Sequence, residues 1–76
     1  MDKDIRAQLV EYGRRILLDS ADLFEAQWRL EALGESLLES PVTVVLTWDD
    51  TEPHLRGAAI FPEGQPNRLD IAAKAA

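Results

Sequence analysis

The sequence predicts an α+β fold: a long N-terminal amphipathic helix, then a β-hairpin, with a short C-terminal helix as an option, completed as a homodimer. Three observations predict it. Apolar residues recur at helical spacing from Ile5 to Leu38, with no Pro and only two Gly between Asp4 and Glu39. A run of mostly β-branched residues follows, Val42-Thr43-Val44-Val45-Leu46-Thr47-Trp48. And the chain is short: 76 residues without Cys, so its core is marginal and no disulfide or thiolate metal site reinforces it. A single domain is expected over residues 1–76, with the helix at about 4–39, the hairpin at about 42–61 and a tail at 62–76.

In the helical segment Leu9, Ile16, Leu23, Leu30 and Leu37 recur every seven residues. Ile5, Tyr12, Ala26 and Leu33 take the companion position, interrupted by Asp19. This is the seam of a coiled-coil-like helix, and the five heptad residues are the expected dimer interface. A second stripe, Val10, Leu17, Phe24 and Leu38, runs beside it, and Gly13, Ser20, Gln27 and Gly34 lie between the two. The resulting arc is wide enough to bury against two things at once, with small residues letting a backbone approach. The expected partners are the hairpin and a second helix, with a single broad core face as the alternative.

Length argues the same way. A helix over residues 4–39 is about 54 Å long, whereas a compact chain of this size has a radius of gyration of about 11 Å. Either another chain covers the overhang or the helix breaks. Leu18-Asp19-Ser20-Ala21 is the place for a break, with Asp19 or Ser20 as N-cap of a second helix. The unbroken heptad phase favours continuity. Ser40-Pro41 ends the helix, because the residue before Pro is pushed out of the α region.

In the first strand Val42, Val44, Leu46 and Trp48 share one face, which places Trp48 in the core with Val44 and Leu46. Thr43, Val45 and Thr47 share the other, which is too apolar for full solvation. Asp49-Asp50-Thr51-Glu52-Pro53-His54 reads as a turn, and Leu55 to Phe61 as the return strand. A lone hairpin is unstable in water. Strand pairing across a dimer would cover its edge. Asn67-Arg68-Leu69-Asp70 offers a cap for a C-terminal helix through Ala76, with a frayed tail as the alternative.

Charge placement narrows the partners. The net charge is −6. Residues 1–30 carry six acids and five bases, whereas residues 31–63 carry seven acids and one base, Arg56. A phosphate backbone is repelled by that middle segment and a basic protein surface attracted, so nucleic acid is not an expected partner; ordinary solubilising charge is the other reading of the segment. The candidate partner-binding residues are Glu35, Glu39, Asp49, Asp50 and Glu52, with Trp28 as an aromatic anchor at the edge of the apolar arc. Residues 1–15 are charged and lack the apolar run of a secretory signal, and no apolar run approaches a membrane span. With no Cys, a cytoplasmic location is expected.

No catalytic or cofactor motif is present. Asp49, Asp50, Glu52 and His54 crowd together, but their spacing matches no EF-hand loop, and turns are rich in Asp anyway. A His54–carboxylate pair acting on Ser36 or Ser40 needs geometry that spacing does not supply. The expected function is therefore non-enzymatic and cofactor-free: a small acidic inhibitor or neutraliser, of the type that phages and mobile elements encode, occupying a partner protein's surface. The alternatives are an accessory subunit of a larger bacterial complex and, less favoured, a metal-dependent activity at the Asp49 to His54 loop.

Overall fold

A computed structural model describes residues 3–48 and 55–73. Two helices, α1 (Lys3–Asp19) and α2 (Leu23–Leu38), precede three strands, β1 (Val42–Trp48), β2 (Leu55–Pro62) and β3 (Leu69–Ala72). The strands form an antiparallel meander in the order β1-β2-β3. Both helices pack on one face of this sheet, α1 against β3 and β2, α2 against β1 and β2, and also on each other.

The expected continuous helix over residues 4–39 is thus a helical hairpin. The molecule measures 34 × 24 × 20 Å, too short for an unbroken helix of that length. The break, at residues 20–22, overlaps the segment foreseen for it, but the cap lies outside that segment. Asp22, in extended conformation, accepts a hydrogen bond from the Glu25 amide at 2.8 Å and is the N-cap of α2. Glu25 reaches back to accept from the Ala21 N–H at 3.0 Å. This is a close variant of the capping box, written in the sequence as Asp22-x-x-Glu25. Ser20 helps to end α1, donating from its amide and its hydroxyl to the Ile16 carbonyl at 2.9 and 2.6 Å. Arg29 ties the turn together, with Nη1 at 3.4 Å from both Asp19 and Glu25.

Folding the helix back changes what its apolar stripe does. Leu9, Gly13 and Leu17 are buried on α1, and Ala26, Leu30 and Gly34 on α2, every fourth residue in each case. The small-residue groove receives strand side chains instead of another helix. Gly13 lies under Ile71, and Gly34 under Val42. Leu9, Leu30, Val44, Ile60, Leu69 and Ile71 form the centre of the core. Each such aliphatic side chain contributes about 1.5–3 kcal/mol of transfer free energy. The wide arc does bury against two things, but both belong to the same chain.

At the other end of α2, Glu39 adopts a left-handed conformation (φ 55°) and donates from its amide to Glu35 O. β2 ends in a turn in which Gln65 N–H bonds to Pro62 O and Gly64 takes φ 77°, the positive value a type II turn needs at its third position. The chain then enters β3, not a C-terminal helix. Leu69 and Ile71 point into the core while Asp70 and Ala72 point out, a period of two that decides for strand. Trp48, expected in the core, is half exposed: the β1–β2 register shifts between Thr47 and Trp48, so strict alternation stops before it.

Candidate interaction surfaces

A small chain that buries its aliphatic stripe internally should have little large apolar surface left. Here two such regions remain, besides the exposed side chains of Tyr12, Leu18 and Trp48. The first is the outward face of α2. Opposite the buried Ala26–Leu30–Gly34 stripe, the solvent-facing positions of its first turns hold Phe24 and Trp28, 85% and 59% exposed. Leu23, in line with the buried stripe but in the first turn of the helix, is 42% exposed. Further along the same face come Glu31 and Glu35, within about 40° of the Phe24–Trp28 line at helical periodicity, and Glu39 follows, exposed, at the left-handed cap. No basic residue lies in the last turn of α2. Arg29 is engaged at the interhelical turn, and Glu31 accepts from Gln27 Nε2 at 2.9 Å. The face therefore joins an aromatic end to an acidic end.

The second region is the side of the sheet away from the helices. Thr43, Val45 and Thr47 on β1, Phe61 on β2 and Ala72 on β3 are exposed there, Val45 at 51% and Phe61 at 40%. Among the described strand positions Asp70 is the charged residue of this face, and it pairs with Arg68 at 3.3 Å; Glu63, opposite Pro41 just beyond β2, lies at its rim. A shallow trough along α1 is mostly charged, lined by Lys3, Arg6, Glu11 and Arg14 with Ala7 and Val10.

The sheet edges are less open than its face. Glu63 N–H bonds to Pro41 O, which fixes 41↔63 as a hydrogen-bonded pair and, by antiparallel alternation, turns the backbone groups of Val42, Val44 and Leu46 to the outer edge of β1. Gln27 of α2 donates to the Val44 carbonyl at 2.9 Å on that edge. On the opposite edge, Arg14 of α1 donates to the outward carbonyl of Ala72 at 3.1 Å. Each helix thus sends one side chain over the nearer edge of the sheet, and covered edges discourage strand addition.

The expected site residues separate accordingly. Trp28, Glu35 and Glu39 lie exposed on α2. Asp49, Asp50 and Glu52, with His54, fall outside the described residues. Of the five heptad residues assigned to a dimer seam, Leu9 and Leu30 are wholly buried within the one chain and offer a partner no surface. Ile16 and Leu37 are partly buried against the same core, and Leu23 alone is exposed. Heptad spacing assigns Phe24 to the buried arc, whereas it is the most exposed of the large apolar side chains described. The signal that corrects it is the Asp22 cap, which restarts the helix and sets a new phase. Ser36 and Ser40 are on or next to α2, and Ser40 Oγ donates to the Pro41 carbonyl at 3.5 Å. Among the described residues no group of three or more His, Cys, Asp or Glu converges to hold a metal ion, and no helix is long and apolar enough to cross a membrane.

Fold and surface together define a two-layer α+β domain with two helices on a three-stranded antiparallel meander, each layer leaving an apolar surface uncovered. The chain matches no protein family, no curated protein and no solved structure.

Proposed function

We propose that the chain is a non-enzymatic, cytoplasmic protein-binding module, of the small acidic inhibitor or neutraliser kind, that occupies a basic surface of a partner protein through the outward face of α2. The observation that carries this reading is the placement of Phe24 and Trp28 at the solvent pole of a helix whose other end is acidic. Helix stability does not call for large aromatics at those positions, and exposing them is unfavourable in water. Trp is enriched among residues that dominate binding energy, and uncompensated carboxylates steer a basic partner. An accessory subunit of a larger assembly is the second reading, favoured by the separate apolar surface on the sheet.

The test is affinity capture with the intact chain, followed by binding measurements on the captured protein. Trp28→Ala is expected to weaken the complex by about tenfold or more, as for a hot-spot aromatic. Glu35→Lys with Glu39→Lys should slow association, and rising salt should do the same to the wild type. Binding that ignores salt and survives Trp28→Ala would remove α2 as the contact.

A further inference from the structure

The outer face of the sheet calls for a different occupant from the face of α2, and charge decides which. We infer that this face is a self-association surface, on which a second copy of the chain packs its own sheet face to form a two-layer β interface with the helices outermost.

Any self-contact must bring together two chains of net charge −6. On α2 a two-fold contact over the whole face would set aromatic residues of one copy near Glu31 or Glu35 of the other, or acid against acid, and would desolvate carboxylates without a counter-charge, while one centred on Phe24 and Trp28 would avoid them but cover little more than one helical turn. The sheet face avoids this. Thr43, Val45, Thr47, Ala59, Phe61 and Ala72 are uncharged, and Asp70 sits on the edge strand β3 already paired with Arg68. A basic heteropartner would find nothing there to attract it. A second copy finds an equal, neutral face.

Shape and area agree. Sheets pack face to face at about 10 Å with interdigitating side chains, and Val45 and Phe61 stand out between smaller Thr and Ala neighbours that leave room for their symmetry mates. Three strands about 4.8 Å apart, rising about 3.3 Å per residue, make a face of roughly 15 by 20 Å. Two such faces, with side-chain relief, bury on the order of 1,000 Å², the lower edge of a specific interface. The expected dimer is therefore weak and concentration-dependent. The guarded edges fit the same arrangement, since self-association by strand addition would first displace Gln27 from Val44.

The experiment is sedimentation equilibrium of the whole chain from micromolar to millimolar concentration, with circular dichroism of every variant. Wild type should move from the 8.5 kDa chain mass towards twice that value. Val45→Lys and, separately, Thr47→Lys should keep their spectra and lose association by tenfold or more. Thr47→Lys guards against a folding defect in the first variant, because Thr47 is exposed and outside the core. Phe24→Glu with Trp28→Glu should leave the dimer intact, which separates this inference from the proposed partner site. A wild type that stays monomeric at millimolar concentration would overturn it. So would a dimer untouched by the two Lys variants, or one abolished by the α2 variants.

Discussion

Gly13 of α1 packs so closely under Ile71 of β3 that a β-carbon at Gly13 would lie 2.5 Å from Ile71 Cδ1 and 3.4 Å from Leu30 Cδ2. The helix hairpin and the last strand are locked together at this point. A glycine inside a helix normally costs about 1 kcal/mol relative to alanine, so its presence marks a contact that helical propensity alone would select against.

Gly13→Ala should destabilise the fold by no more than about 1 kcal/mol, because Ile71 Cδ1 is the end of a side chain that can turn aside and helix propensity offsets part of the overpacking. Ile71→Val removes the offending methyl and alone costs about 0.5–1.5 kcal/mol. In the Ile71→Val background Gly13→Ala should become near-neutral or stabilising, giving a favourable coupling in the double-mutant cycle. Urea titration of the four proteins decides it, and simple additivity would mean that the close approach is absent.

Gly57→Ala is the contrasting case. Its β-carbon would meet the Ile71 carbonyl oxygen at 2.5 Å, a backbone atom that no rotamer change can move. Its cost should exceed that of Gly13→Ala, and Ile71→Val should not relieve it. Rescue by that substitution would place the obstruction in the side chain instead.

Asp22→Ala removes the cap that restarts the helix and should cost about 1 kcal/mol, in the usual range for an N-cap. In a small domain that is a fall of about 4–8 °C in Tm. An unchanged Tm would argue for a helix that runs through this segment.

Glu39→Gly should raise stability. Glu39 holds φ 55° at the end of a helix whose dipole disfavours an acid there. Glycine removes the left-handed penalty of about 1–2 kcal/mol, offset in part by its extra freedom in the unfolded chain. The expected net gain of a few degrees in Tm is read by calorimetry; a loss would show that the Glu39 side chain contributes more than its strained backbone costs.

Much of the fold is legible in the sequence because each layer has its own period. The Val42–Trp48 strand, the hairpin order and the helical apolar stripe all follow from alternation or three-and-four spacing. The cap at the break escapes such reading because the residues between the helices are too few to disturb the heptad count visibly. The seven-residue spacing through Ile16, Leu23 and Leu30 survives on paper, whereas in space Leu23 is exposed and Leu30 is buried. β3 escapes it because four residues carry little periodicity, and the alanines that follow suggest helix. Of the candidate site, Trp28, Glu35 and Glu39 are accessible from charge and composition. Phe24 depends on the phase of α2, and the edge caps join residues 17 and 58 positions apart, a tertiary relation that local spacing does not encode.

Gln27→Leu should expose the outer edge of β1. Loss of the hydrogen bond to Val44 O removes about 0.5–1.5 kcal/mol. Faster amide exchange at Thr43 and Val45, whose N–H groups bond to β2, and turbidity at concentrations where wild type stays clear, are the expected signs. A variant as clear and as stable as wild type would assign edge protection elsewhere.

Because the two edge guards come from two different helices, the protein's resistance to aggregation depends on how firmly those helices stay docked. Any event that lifts the helical layer from the sheet removes both guards together and bares Leu9, Leu30 and Ile60 at the same moment. Partly unfolded molecules are then adhesive along their strand edges, while fully folded ones are not. Precipitation on heating should begin at the onset of unfolding and not with the unfolded chain, so mild destabilisation is more damaging to solubility than complete denaturation.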